Sequence, residues 1–141
     1  MQLKNIMTEN VATVSPEDSL QKAAQIMKEK NVGAVPVCKG DKPVGIVTDR
    51  DISIRATAEG KNETTSVKDV MSSDIIKASP EMSVKEAAEL MAQKQIRRLP
   101  VSQNNSLQGI VSLGDLAVES KTDTEAAEAL TSISIPSKPQ N

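Results

Sequence analysis

Thr48 and Asp51 place a hydroxyl and a carboxylate three residues apart at the end of the run Gly45-Ile46-Val47-Thr48-Asp49-Arg50-Asp51. Ile46 and Val47 read as a short buried strand, Gly45 as a point of close backbone approach, and Asp49 onward as the first turn of a helix. Such a turn presents N–H groups with no intrahelical partner. A phosphate can sit on those N–H groups, and a ribose diol can donate to the carboxylate. The arrangement recurs at Gly109-Ile110-Val111-Ser112-Leu113-Gly114-Asp115. Each part also has a purely structural explanation. The helix dipole favours an acid in a first turn, as at Asp51 and Asp115. Thr48 and Ser112 can act as N-caps, as ligand groups or as both. Gly45 and Gly109 serve backbone geometry first and ligand access second.

Composition narrows the chemistry. The 141 residues include 17 basic and 19 acidic side chains, for a net charge of -2. That balance leaves no basic footprint for nucleic acid or anionic lipid. Histidine is absent, which removes the commonest general base and the commonest metal ligand. The one cysteine, Cys38, has no partner for an internal disulfide and no histidine to activate it, so it reads as a free thiol near a strand end. Phe, Tyr and Trp are all missing, so the core must be aliphatic and no base can stack on an aromatic ring. No apolar run approaches the roughly 18 residues of a membrane span, and no signal-peptide pattern opens the sequence. The expectation is a soluble cytoplasmic protein whose length permits about 68–70% of its unfolded surface to be buried.

The two corners belong to an internal duplication. Shifting the sequence by 64 positions aligns 3–52 with 67–116 without a gap, and sixteen of the fifty pairs are identical. Chance alone would give roughly three. In each copy the same elements must position the corner. Val11 to Val14 reads as a short strand stopped by Ser15-Pro16. Ser19 caps a helix whose apolar face is Leu20, Ala23, Ala24 and Met27, a stripe that reads as core packing. In the second copy Ser83 and Glu86 form a capping-box signature. Asn31 ends the first helix; strands Val32–Val37 and Val44–Thr48 follow, joined by Lys39-Gly40-Asp41-Lys42. Pro36 places its strand at an edge or an end. A second helix runs from Asp49 towards Glu59. The organisation expected is 3–59, a polar linker at 60–66, 67–119, and a tail at 120–141 with a short helix over Thr124–Leu130 and a frayed end from Ser134.

In this register the sequence resembles a tandem pair of CBS (cystathionine β-synthase) domains, the Bateman module, in its standalone bacterial form. The first copy carries Met-Thr-x-x-Val, Thr-Val-Ser-Pro-Glu, Ala-Ala-x-x-Met, Gly-Ala-Val-Pro-Val and Gly-Ile-Val-Thr-Asp-Arg-Asp-Ile. The second carries Ala-Ser-Pro, Ala-Ala-Glu-Leu-Met, Arg-Arg-Leu-Pro-Val and Gly-Ile-Val-Ser-Leu-Gly-Asp-Leu. The resemblance covers 3–116 and implies an α/β (α+β) fold of two β-α-β-β-α units, related by a pseudo-twofold axis and packed through their sheets and helices. It implies adenosine-containing ligands: AMP, ADP, ATP or S-adenosylmethionine. By position, Asp51 and Asp115 would be the ribose carboxylates, with Thr48 and Ser112 reaching ribose or phosphate. Thr13, Val14, Lys77 and Ala78 would line the base pocket, and Val35, Pro36, Leu99 and Pro100 would form its aliphatic wall. Arg97 and Arg98 match positions that place basic groups near phosphates, while their counterparts Gly33 and Ala34 do not, so the two sites are not equivalent. Adjacent strand residues face opposite sides, so at most one of the two arginines enters a cleft and the other is solvated or salt-bridged. Arg50, whose counterpart is Gly114, would be a further candidate anion contact.

The function expected is a regulatory sensor, forming a homodimer and acting on an unidentified effector protein or a second copy of itself. It needs no catalytic cofactor and no metal. The alternative is a structural dimerisation module with vestigial clefts. An enzyme is disfavoured, because no nucleophile–base pair, Gly-rich phosphate loop or metal-ligand cluster is present. DNA binding is disfavoured by the lack of a basic or helix-turn-helix segment.

Overall fold

The computed structural model describes residues 1–118; the expectations for the tail lie outside the described residues. Helices and short antiparallel hairpins give an α+β fold. Contacts group the chain into two compact units. Among the described residues, one holds Asn10–Ile76 and Ser102–Leu107; the other holds Met1–Glu9, Lys77–Val101 and Gln108–Val118.

In the Asn10–Ile76 unit, α1 (Leu20–Lys30) starts at Ser19, whose Oγ accepts the Lys22 N–H at 3.2 Å. It stops where Asn31 takes a left-handed φ of 54°. Its buried residues are Leu20, Ala23 and Met27, with Ile26 partly buried against the same core. The stripe therefore swings towards Ala23 and Ile26, and Ala24, expected on the inner face, is exposed on the opposite flank. β1 (Ala34–Lys39) begins two residues later than expected, because Val32 is still donating to the Met27 carbonyl at 3.0 Å. β1 pairs antiparallel with β2 (Lys42–Thr48) in the register Ala34↔Thr48, Val35↔Val47, Pro36↔Ile46 and Val37↔Gly45. Gly40 turns the hairpin with φ 59°.

The strand expected over Val11–Val14 shrinks to a single parallel bridge. Val14 donates to the Pro36 carbonyl at 3.1 Å and accepts from the Cys38 N–H at 2.8 Å. Pro36 has no N–H with which to extend that ladder. After β2 the backbone is α-helical over α2 (Asp49–Asp51), widens to a π turn over Ile52–Ala56, and tightens to a 3-10 turn over Thr57–Glu59. The core comprises Val14, Leu20, Ala23, Met27, Val35, Val37, Val47, Ala56, Val67 and Val70. The segment after Gly60 is tied to α1: Leu20 donates to Thr65 and Gln21 to Glu63, at 2.9 and 3.1 Å, which takes up two donors that the helix cannot satisfy itself. Ser72 then pairs with Ile46, with both bonds 2.9 Å.

The other unit repeats this plan. α3 (Val84–Lys94) buries Val84, Ala87, Ala88 and Met91. Ser83 Oγ accepts the Glu86 N–H at 3.0 Å; the return bond of the expected capping box runs from the Ser83 hydroxyl to Glu86 Oε1 at 3.2 Å. β3 (Arg98–Gln103) and β4 (Ser106–Ser112) form the hairpin, whose tip, Ser102–Leu107, is grouped with Asn10–Ile76 instead, and α4 (Leu113–Val118) follows. Ala78 donates to the Pro100 carbonyl at 2.9 Å, as Val14 does to Pro36. Val84 donates to Met1, Leu3 to Met82 and Lys4 to Pro80, at 2.9, 2.9 and 3.0 Å. Thr8 pairs with Ile110 at 2.9 and 3.1 Å. The segment that opens one repeat in sequence is thus built into the unit formed by the other.

Candidate functional site

The first corner is set by the end of β2. Thr48 lies opposite Ala34, and Asp49 donates to the Gly33 carbonyl at 3.0 Å, which holds the start of α2 against the start of β1. The Thr48 Oγ1 accepts the Asp51 N–H at 3.0 Å, and Asp51 Oδ2 accepts the Thr48 N–H at 3.0 Å. The two side chains form a reciprocal capping box. Only Oδ2 is used in it. Asp51 Oδ1 lies 3.9 Å from Arg55 Nε, and the Asp51 side chain keeps 14% of its exposure. The structural role of Thr48 and Asp51 is therefore realised, and one carboxylate oxygen is left over for a second task.

Around this corner the expected residues separate. Pro36 pairs with Ile46 and so shares a hairpin face with Thr48, two residues or about 7 Å along the strand. Val35 and Val14 both belong to the core cluster, so their side chains are committed there. Thr13, beside Val14, is half-buried. Asp49 lies over Gly33, where an added Cβ would come within 3.2 Å of its Oδ2; its Oδ1 accepts the Arg50 N–H at 2.8 Å. Arg50 is exposed. Arg55 is a residue that composition and motif reading pass over. Its signal in the sequence is the four-residue spacing from Asp51 on one helix.

The second corner repeats the cap. Ser112 donates to Asp115 Oδ2 at 2.8 Å, Asp115 donates to Ser112 Oγ at 3.1 Å, and Leu113 donates to the Arg97 carbonyl at 2.9 Å. Leu99, Pro100 and Ala78 are buried and Lys77 is exposed. Arg97 is exposed and Arg98 half-buried. In the 64-residue register Arg98 is the counterpart of Ala34, the residue opposite Thr48, so Arg98 is the arginine whose position matches the corner.

Gly45 and Gly109 are explained by close packing. A Cβ on Gly45 would fall 2.8 Å from both the Ser72 carbonyl oxygen and Met71 Sδ. On Gly109 it would fall 2.7 Å from the Thr8 carbonyl oxygen and 2.9 Å from Met7 Sδ. Cys38 is a buried free thiol, and burial pushes its pKa up. Among the described residues, no group of three His, Cys, Asp or Glu could hold a metal, and no helix is long and apolar enough to cross a membrane.

The model of the CBS domain family matches twice, over residues 3–55 and 67–121. The chain belongs to the CBS-domain family. It is similar to the CBS domain-containing protein YhcV of Bacillus subtilis, 50% identical over 132 residues that make up 94% of each protein. Among solved structures, Hypoxic Response Protein I with two coordinated zinc ions matches with a TM-score of 0.78 and 33% identity, covering 84% of this chain and 98% of that one. The structure of CBSX2 in complex with AMP matches with a TM-score of 0.76 and 26% identity, covering 87% and 98%. CBS domains are regulatory modules that often bind adenosine ligands.

Proposed function

We propose that this chain is a sensor of adenosine-containing ligands, with AMP, ADP, ATP and S-adenosylmethionine as the candidates. The observation that carries the proposal is the divided carboxylate. In both repeats Oδ2 closes the cap, and Oδ1 stays outside it as an acceptor for a ribose diol. The complex of CBSX2 with AMP supports the ligand class. In this scheme Thr48 and Ser112 cap the helix, and the N–H groups of Thr48, Asp49, Arg50 and Asp51, expected to hold phosphate, are instead donated to Asp51, Gly33, Asp49 and Thr48, so phosphate is left to the arginines. Pro36 and Pro100 supply the aliphatic wall, beside the backbone of Thr13–Val14 and Lys77–Ala78, and Arg50 and Arg98 meet phosphate charge. Binding favours one of two arrangements of the chain, and a protein partner in the cytoplasm reads that state from a homodimer.

Calorimetric titration with the four ligands tests this on wild-type protein and on the Asp51→Asn and Asp115→Asn variants. Asparagine keeps one acceptor for the cap N–H and puts an NH2 donor where the diol would donate. Affinity at the altered corner is expected to fall about tenfold or more, the scale of a hydrogen bond to a charged group. Stability should change by less than the roughly 1 kcal/mol lost when a cap is removed outright. Folded, nucleotide-stripped protein that binds none of the four would overturn the sensor and favour a ligand-free dimerisation module, for which the self-satisfied caps already suffice. Light scattering measures the mass expected for a dimer.

A further inference from the structure

Arg55 joins two things that the capping motif alone leaves separate. Its Nε approaches Asp51 Oδ1 at 3.9 Å, on the oxygen not used by the cap. Its Nη1 donates to the Val70 and Met71 carbonyls, both at 3.4 Å. Those carbonyls immediately precede Ser72, which exchanges two backbone hydrogen bonds with Ile46. Met71 Sδ and the Ser72 carbonyl are also the atoms that close on Gly45. The Arg55 side chain is 54% exposed, so its pairing with Asp51 is weak and easily traded.

We propose that Arg55 is a positioning residue that couples ligand occupancy of the Asp51 corner to the Val70–Ser72 segment. The inference rests on the assignment of Asp51 Oδ1 as a ribose acceptor. A diol donating to Oδ1 competes with Arg55 Nε for that oxygen. The guanidinium then settles on the Val70 and Met71 carbonyls, where bonds of 3.4 Å have room to shorten. Occupancy tightens the segment through which the chain leaves this unit. In sequence the position equivalent to Arg55 in the second repeat is Glu119, so no arginine stands there.

Amide hydrogen exchange at Ser72, with and without AMP, tests the coupling on wild-type protein and the Arg55→Met variant. In wild type, AMP is expected to slow exchange of the Ser72 amide about two- to fivefold, the range of an exposed ion pair. In Arg55→Met, AMP still binds, within about the same factor, but the ligand-dependent slowing at Ser72 disappears. Full slowing in Arg55→Met, or AMP binding in wild type with no change at Ser72, overturns the coupling and leaves the sensor intact. No AMP binding to folded wild type overturns the coupling together with the assignment of Asp51 on which it rests.

Discussion

The corner at Thr48–Asp51 and the corner at Ser112–Asp115 share a backbone and differ in charge. Both close the same four-atom exchange between hydroxyl, carboxylate and two N–H groups, with distances between 2.8 and 3.1 Å. In the first, the residue after the cap is Asp49, lying over Gly33, and cations follow it on the helix at Arg50 and Arg55. In the second, Leu113 and Gly114 occupy the matching helix positions, and the cations sit at Arg98, the first residue of β3, and at Arg97 in the bend before it. Duplication thus kept what the backbone needs, the cap, and moved the positive charge from one side of the corner to the other. A phosphate would meet arginine from the helix in one repeat and from the strand in the other.

The largest effect is predicted where the two units are most alike. Gly45→Ala and Gly109→Ala each force a Cβ to within 2.8 Å of a carbonyl oxygen on a neighbouring segment, which is backbone and cannot swing aside. Each substitution is expected to cost about 1–3 kcal/mol in urea unfolding, and similarly in the two units. An unchanged midpoint for either one would mean that its strand and leader segment are not held at the distance described.

Arg98→Ala sharpens the difference. Calorimetry is expected to show AMP, ADP and ATP weakened about tenfold at the second corner, with adenosine unaffected, since only the phosphorylated ligands offer a charge to the guanidinium. Equal losses for adenosine and AMP would show that Arg98 acts through packing instead.

The smallest effect concerns acid. Asp18 accepts the Ser15 N–H at 2.8 Å and pairs with Lys22 at 3.1 Å, and the backbone hydrogen bond, then Lys22, holds its pKa below the ordinary 3.8. Because the folded pKa lies below the unfolded one, this contribution is complete above pH 3.8 and fades as pH falls through the folded value. Its counterpart, Met82, cannot titrate. The stability gap between wild type and Asp18→Asn, measured by urea unfolding, should be present at neutral pH and close as the pH falls below 3.8 and through the lowered folded value. A gap that persists in strong acid would assign the effect to something other than the carboxylate.

Much of each corner was legible because its parts are local. Ser19, Ser83, Thr48 and Ser112 all cap helices where the spacing put them, and Asn31 ends α1 as its residue type allows. The repeat made the second corner readable from the first. What escaped depends on partners far away in sequence. Val11–Val14 has strand composition, yet whether it pairs is decided by Pro36, more than twenty residues on. Ala24 and Ala88 are identical in the repeat, but one is exposed and the other buried, because the packing around each helix differs. The π turn at Ile52–Ala56 has no marker in its residues, and neither does the tie from Arg55 to Val70 and Met71.

The pairing of Thr8 with Ile110 and of Ser72 with Ile46 means that what was copied and what folds have different frames. Inheritance duplicated a block starting near Leu3, whereas cooperative packing recognises a block starting near Asn10 and running to Ile76. A fragment cut before Val67 would keep its own leader, whose hydrogen-bond partners are in the other copy, and lose Val67 to Ser72, which donate to Asp18 and Pro16 and cover Gly45. For anyone grafting or recombining such repeats, a joint at the homology boundary falls inside a packed unit, since Asn10–Ile76 runs some ten residues past it.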